Sequence, residues 1–152
     1  MKRFSAVLIT LVLIFSAFTF SVGAADGITV VLDGEVVTFD VPPQIINGRT
    51  MVPIRAVFEA LGATLDWNAS TRTATATIDD YVVKCTIDSK ILTVCGEKTE
   101  MDTAPVIVGG RTLMPLRFAA EAFGCTVSWY GSARTAVISS EGFSLGGDTS
   151  EQ

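Results

Sequence analysis

The chain has 152 residues, enough for one domain or a tight pair of small ones, with 49% hydrophobic residues and a formal net charge of −5 at pH 7. This composition excludes a disordered chain, and it excludes nucleic acid as a partner because phosphate binding needs an excess of lysine and arginine. The sequence has no histidine and only three cysteines, which excludes histidine-based nucleophiles, histidine-ligated metal sites and a four-thiolate zinc site.

The first residues predict export. A basic start at residues 1–3 precedes an uncharged apolar stretch at 4–22 and small residues at 23–25, as in a secretory signal peptide. We assign residues 1–24 to this signal, with cleavage before Ala25 or Asp26, and an uncleaved membrane anchor is the alternative. We expect a secreted protein that associates with the cell wall and has no stable membrane insertion after cleavage.

An internal repeat dominates the rest of the chain. The segment around Arg49 matches the segment around Arg111 at an offset of 62 residues, and the match continues without a gap to residues 134–136. We predict one domain over residues 28–142, with two copies of one unit at 28–80 and 90–142. The polar tail at 143–152 is expected to be disordered.

Each unit begins with hairpins. In the first unit, Asp33-Gly34 favours the positive φ angles of a type I′ turn between strands at 28–32 and 35–41. Asn47-Gly48 predicts a second tight turn. In the second unit, Cys95-Gly96 occupies the position of Asp33-Gly34, so Cys95 is expected to be exposed.

A short helix follows in each unit. Pro53 is suited to the first helical position, and Gly62 is suited to the helix C-cap. Apolar residues recur at the spacing of one helix face. They are Ile54, Val57, Phe58 and Leu61 in the first unit, and Leu116, Ala119, Ala120 and Phe123 in the second.

Alternating residues after each helix predict strands. Residues 64–67 and 73–78 alternate in the first unit, and residues 81–87 and 91–94 add two further strands. The predicted fold is therefore α+β. It consists of two tandem strand-strand-helix-strand-strand repeats, mostly antiparallel, with one short helix per repeat.

The repeated motif points to a known family. It comprises Gly48-Arg49-Thr50, Pro53-Ile54-Arg55, Glu59, Gly62, Trp67 and Arg72-Thr73-Ala74, and it recurs from Gly110 to Ala136. It resembles the copper amine oxidase-like N-terminal domain of bacterial exported proteins over about residues 28–140. The resemblance implies an accessory stalk domain that stands alone or beside unrelated modules.

The resemblance does not extend to the amine oxidase reaction. That chemistry uses three histidine ligands and a tyrosine within an Asn-Tyr-Asp or Asn-Tyr-Glu motif. The chain has no histidine, and Tyr81 and Tyr130 follow Asp80 and Trp129. We therefore expect no catalytic residue, no metal and no cofactor.

Arginine, tryptophan and tyrosine side chains are candidates for a ligand surface. Arg49 and Arg111 follow tight turns, where a guanidinium could bind a carboxylate or sulfate or could instead tie its turn to a carbonyl or an acidic side chain. Trp67 and Trp129 could stack on a sugar ring, with Tyr130 widening the platform. The alternative, which we favour, is that both tryptophans pack under the helices.

The carboxylates offer an alternative function, a small glycan-directed hydrolase that works without histidine. The candidates are Glu59, Asp66, Asp79, Asp80 and Glu121. Arg55 with Glu59 and Arg117 with Glu121 are spaced as i, i+4 pairs on helices. A solvated acidic surface is the simpler interpretation of these residues.

The cysteines are Cys85, Cys95 and Cys125. Cys85 and Cys125 alternate with apolar residues, so both are expected to face the core and form our preferred disulfide pair. Three reduced thiols, or a Cys95 bridge between two chains, are the alternatives.

These observations predict a function without catalysis. We expect an exported accessory module for binding, spacing or assembly at the cell surface, with a cell-wall glycan as the first expected partner and another exported protein as the second. The ligand and the oligomeric state do not follow from the residues.

Overall fold

The structure is a computed structural model that describes residues 27–141. The predicted signal peptide with its cleavage site and the predicted tail at 143–152 lie outside the described residues. Within residues 27–141, no helix is long and apolar enough to cross a membrane.

Thirteen strands and two short helices make up the described fold. The strands form three sheets, and nearly all neighbours are antiparallel. The first sheet contains β1 (Thr29–Leu32), β2 (Glu35–Val36), β12 (Thr126–Tyr130) and β13 (Thr135–Ser139). The central sheet contains β3 (Gln44–Ile46), β4 (Arg49–Pro53), β10 (Val106–Val108) and β11 (Arg111–Pro115). The third sheet contains β5 (Thr64–Asn68), β6 (Thr73–Ile78), β7 (Tyr81–Thr86), β8 (Ile91–Val94) and β9 (Glu97–Glu100).

The helices are α1 (Ile54–Ala60) and α2 (Leu116–Glu121). A 3₁₀ turn at Gly131–Ala133 connects β12 to β13. The α+β class with mostly antiparallel sheet and two short helices agrees with the sequence prediction.

Every sheet combines strands from both halves of the chain. The strand orders are β12-β13-β1-β2, β10-β11-β4-β3 and β5-β6-β7-β8-β9. Hence the N-terminal hairpin completes the sheet of the C-terminal strands, and β8 and β9 extend the sheet of β5 to β7. The boundaries of the sequence repeat are therefore not boundaries between sheets.

The two halves differ at one strand position. Strands β6 and β13 hold corresponding positions in the two halves but have different neighbours. Strand β6 pairs antiparallel with β7, whereas β13 pairs parallel with β1, with Thr29 opposite Thr135. Among the described strands this is the one parallel pair, since all other ladders are antiparallel.

The predicted tight turns are confirmed. Asp33, Asn47 and Cys95 have φ angles of 49°, 52° and 48°, and the glycine after each also has a positive φ, as a type I′ turn requires. Cys95 is exposed, as its turn position predicts.

The predicted apolar helix faces are confirmed, since Ile54, Val57 and Phe58 of α1 are buried. Each helix begins one residue later than predicted. Pro53 and Pro115 precede the helices in an extended conformation, with ψ near 116° and 124°, instead of taking the first helical position. Both prolines end strands of the central sheet, where Pro53 lies opposite Leu113 and Pro115 opposite Met51.

The core lies between the helices and the sheets. The Phe58 and Phe123 rings meet edge to face with centroids 5.1 Å apart, and the Tyr81 ring lies 5.6 Å from Phe123. Val52 and Met114 of the central strands belong to the same buried cluster, whereas Met51 and Leu113 are buried outside it. Since these residues come from both halves of the chain, the halves share one core.

Candidate functional site

Two surface grooves are the most distinctive sites in the described structure. The first groove has a volume of about 350 Å³ and the second about 330 Å³. The first is lined by Pro53, Ile54, Arg55, Leu65, Trp67, Ala74, Ile107, Gly110, Arg111 and Thr112. The second is lined by Ile45, Gly48, Arg49, Thr50, Pro115, Leu116, Arg117, Val127, Trp129 and Ala136.

The linings of the two grooves correspond residue by residue at the repeat offset. Trp67 corresponds to Trp129, Arg55 to Arg117, and every other lining residue likewise has its counterpart in the other groove. Each groove takes its helix start and two strands from one half of the chain and its opposing turn from the other half. The site therefore exists because the strands of the two halves are interleaved.

The tryptophans stand at the rims of these grooves. Trp67 is 41% exposed and Trp129 is 44% exposed, so the favoured expectation that they pack under the helices is wrong. Leu65, two positions before Trp67 on the same face of β5, does pack against the core. Helix α1 has only seven residues and spans about 10 Å, which is shorter than the roughly 16 Å of the five-residue strand β5.

Arg49 and Arg111 lie in different grooves, and each contacts a carboxylate of the other half. Arg49 Nε lies 2.5 Å from Asp102 Oδ2, and Arg111 Nε donates to Asp40 Oδ2 at 2.6 Å while its Nη2 contacts the same oxygen. Asp40 and Asp102 are themselves separated by the repeat offset. The hydrogen bond from Arg111 lowers the pKa of Asp40, and Asp40 in turn raises the pKa of Arg111.

A second arginine enters each groove from the helix start. Arg55 Nη1 donates to Glu59 Oε1 at 3.0 Å, and Arg117 Nη1 donates to Glu121 Oε1 at 3.4 Å, which confirms the predicted i, i+4 pairs. Exposed pairs of this kind contribute only about 0.3–0.5 kcal/mol each to stability. Their clearer effect is to restrict where the guanidinium groups sit.

The linings of the two grooves contain arginines but no acidic residues. Four of the six arginines in the described part of the chain line the two grooves, and none of its aspartates or glutamates does. Each groove thus presents one tryptophan and two arginines, and the carboxylate paired with each arginine lies outside the lining.

Tyr130 does not join the tryptophan surface. It is 55% exposed, but it follows Trp129 on β12 and therefore points to the opposite face of the strand. It lines neither groove, so the expected platform of Trp129 and Tyr130 is not formed.

The candidate catalytic carboxylates are not brought together as one set. Glu59 and Glu121 are ion-paired on separate helices, and Asp66, Asp79 and Asp80 are exposed. Two other clefts do contain carboxylates. Glu97 and Glu121 line one beside Tyr81, and Glu35 and Glu59 line its counterpart.

The preferred disulfide is absent from the structure. Cys85, Cys95 and Cys125 are free thiols, and the first and last are buried as expected. Cys85 belongs to β7 of the third sheet, whereas Cys125 precedes β12 of the first sheet, so the two thiols enter the core from different sheets. Burial raises the pKa of Cys85 to about 12 and, together with the charge of Asp33, raises that of Cys125.

Copper chemistry does not fit these residues. The sequence lacks histidine, and in residues 27–141 no three side chains among histidine, cysteine, aspartate and glutamate are placed to hold a metal ion. Softer copper ligation by cysteine is also unsupported, because two of the three thiols are in the core and the third lies on an exposed turn.

Sequence reasoning found Arg49, Arg111 and the tryptophans but missed the opposing walls of the grooves. Ile45 and Ile107 are 53% and 46% exposed, and each shares its groove with a tryptophan of the other half, Trp129 for Ile45 and Trp67 for Ile107. The one available signal was the repeat itself, since it preserves both isoleucines at the same offset.

Comparison with known proteins identifies the domain type. No curated protein matches the chain. The copper amine oxidase N-terminal domain family matches it over residues 31–138, which includes all the groove residues. The chain belongs to the copper amine oxidase N-terminal domain family.

Proposed function

We propose that the chain is an exported, non-catalytic accessory module that binds a partner at the cell surface or wall through its two grooves. The observation that supports this most directly is the groove lining. Each groove offers one exposed tryptophan and two arginines, and no carboxylate among the described residues lines either one. Concave apolar surfaces with a few fixed polar groups are suited to ligand binding.

Family membership agrees with an accessory role. In copper amine oxidase this domain is separate from the catalytic module, and the present chain lacks the histidines that copper catalysis there requires. The apolar segment at residues 4–22 supports export. Both partner classes expected from the sequence, a wall glycan and an exported protein, remain part of this proposal.

We also propose that the two halves act as tandem copies of one binding unit. The central sheet supports this, because Met51 lies opposite Pro115, Pro53 opposite Leu113, and Val52 opposite Met114. Replacing each residue by its counterpart 62 positions away turns the first pair into the second and maps the third pair onto itself. This is the pattern expected for two copies related by a twofold axis through the sheet. Two equivalent sites on one chain suit spacing or assembly functions, since a partner held at both sites gains avidity.

Binding can be tested by co-sedimentation of the full chain with cell walls purified from the source cells. We expect the double variant Trp67→Ala/Trp129→Ala to lose most of the sedimented fraction. Tyr130→Ala is the matched control, because it removes an even more exposed aromatic ring outside the grooves and should leave sedimentation unchanged. Equal sedimentation of wild type and double variant would contradict the proposal.

Export is tested separately by expressing the complete sequence in the source cells and sequencing the N-terminus of the protein found in the medium. A mature start at Ala25 or Asp26 is expected. Retention of the intact chain in the membrane fraction would favour the anchor alternative instead.

A carboxylate-based hydrolase is the alternative function. The observation in its favour is the cleft that Glu97 and Glu121 share with Tyr81. If purified protein hydrolyses wall polysaccharide and Glu97→Gln or Glu121→Gln abolishes the turnover, the non-catalytic proposal is wrong. If both variants keep wild-type activity, residues other than Glu97 and Glu121 catalyse the hydrolysis.

A further inference from the structure

Building on the proposed binding function, we infer that each groove binds an acidic peptide segment of a partner protein. An apolar side chain of the peptide packs on the tryptophan, and flanking carboxylates contact the two arginines. Because the grooves are chemically equivalent, one chain binds two such segments.

The balance of apolar and polar groups favours a peptide over a sugar. Six of the ten residues lining the first groove are apolar or aromatic, and Thr112 carries the one side-chain hydroxyl among them. Asparagine, glutamine, aspartate and glutamate are absent from this lining. A bound pyranose would bury several hydroxyls against this surface, and each hydroxyl left without a hydrogen-bond partner would weaken binding. An apolar side chain carries no such cost.

The charges favour carboxylates in the ligand. Arg55 and Arg111 lie on either side of the first groove without any lining acid between them. Arg55 uses Nη1 on Glu59, and Arg111 uses Nε and Nη2 on Asp40, so each guanidinium keeps further N–H donors for a ligand. Because both ion pairs already restrict these side chains, little conformational entropy is lost when a peptide carboxylate binds.

The second groove has the same chemistry. Arg49 contacts Asp102 and Arg117 contacts Glu121, again with both acids outside the lining. Thr50 is its one lining hydroxyl, matching Thr112. A partner with two acidic segments, or an array of such partners, would therefore be held at both sites with avidity.

The two tryptophans of the chain can report on ligand binding through their fluorescence. The chain has two tryptophans in all, one in each groove, so intrinsic tryptophan emission follows groove occupancy. Trp67→Phe leaves the second groove as the reporter, and Trp129→Phe leaves the first. Circular dichroism verifies that both variants are folded.

The experiment begins with a selection of random peptides displayed on phage against the immobilised full chain at low salt. We expect enriched peptides in which aspartate or glutamate flanks an aromatic or aliphatic residue. Titration with a selected synthetic peptide should change the emission of both single-tryptophan variants, and calorimetry on wild type should give two sites. Affinity should fall with added salt because the charged contacts are screened.

Arginine variants test the carboxylate contacts. Arg55→Gln/Arg117→Gln should weaken peptide binding by roughly tenfold or more at both sites, the scale of a lost charged hydrogen bond. Arg72→Gln is the matched control, since Arg72 also forms an exposed ion pair, with Asp88 at 3.2 Å, but lies outside both grooves. Equal weakening by the control would overturn the inference.

Other outcomes separate this inference from the proposed function. If no acidic peptide is enriched while purified peptidoglycan or polygalacturonate changes the tryptophan emission, the grooves bind glycans and the peptide inference is wrong. If neither peptides nor glycans change the emission and wall sedimentation is independent of the tryptophans, both are wrong.

Discussion

Arg111 and Asp40 are hydrogen-bonded across 71 residues of chain, with Nε 2.6 Å from Oδ2. Arg49 contacts Asp102 in the corresponding way. Each pair joins the turn of one half to the segment before the central hairpin of the other half, and each arginine also lines a groove. The same contacts therefore connect the two halves and position the candidate site.

The Asp40 pair predicts a specific pH dependence. The Arg111 hydrogen bond lowers the pKa of Asp40 below its ordinary value of 3.8. A depressed pKa in the folded state stabilises the fold fully above the unfolded value, and this contribution is lost as the pH falls through the folded pKa. Asp40→Asn should therefore reduce stability at pH 7 and make it less sensitive to acid below about pH 4.

Urea unfolding of wild type and Asp40→Asn at pH 7 and pH 3 measures this effect. The difference between the two midpoints should shrink at the lower pH. Asp80→Asn, an exposed carboxylate in the β6–β7 turn, is the control. Asp33, whose pKa is lowered by hydrogen bonds from Ser140, is present in all three proteins, so its contribution to the pH dependence of stability is the same in each. A midpoint difference that stays constant between the two pH values would argue against the prediction.

The Tyr81 hydroxyl should contribute measurably to stability. It donates to the Ala122 carbonyl at 2.6 Å and so joins β7 to the end of α2. Tyr81→Phe keeps the ring against Phe123 but removes this bond, so we expect a loss of about 0.5–1.5 kcal/mol in unfolding free energy. Tyr130→Phe alters an exposed ring and should be neutral. A comparable loss in both variants would show that the hydrogen bond is not the cause.

Phe123 should be among the most sensitive core positions. It is fully buried and contacts both Phe58 and Tyr81, which come from the other half of the chain. Phe123→Ala should cost about 3–5 kcal/mol, because a large cavity opens between the helices and the third sheet. Val36→Ala, at a residue 67% exposed, should cost little. Thermal unfolding of the two variants measures the contrast, and a small effect at Phe123 would mean that the shared core is looser than the structure indicates.

The sequence predicted what depends on local pattern. The spacing of Ile54, Val57 and Phe58 identified the buried face of α1, and Asp33-Gly34 identified its turn. Strand partners could not be predicted in this way. Alternation in Thr29–Leu32 indicates which side chains are buried, but the choice of β13 as a neighbour depends on contacts more than 100 residues away in sequence.

The candidate site was likewise predictable only where it depends on local sequence. Arg49 and Arg111 were recognisable from their turns, and an acidic side chain was among their expected partners. Which acid each one contacts depends on the interleaving of the halves. The tryptophans were misplaced because strand alternation gives the face of Trp67 but not how far the short helix α1 extends over it.

The cysteines should differ in reactivity in the native protein. At pH 8, iodoacetamide should label the exposed Cys95 and leave Cys85 and Cys125 unmodified, as seen by mass spectrometry of peptides. Burial raises the pKa of Cys85 to about 12, so its reactive thiolate is only about one part in 10⁴ at this pH. Cys95→Ser should then take up no label in the native state.

Unfolding in urea extends the same experiment to the predicted Cys85–Cys125 bridge. With free thiols, as in the structure, urea alone should expose all three cysteines to the reagent. If Cys85 and Cys125 become reactive only after a reductant is added, the native protein contains the bridge, and its two sheets approach more closely there than the structure shows. Rapid labelling of Cys85 before Cys95 in the native protein would instead contradict the buried position of β7 in the core.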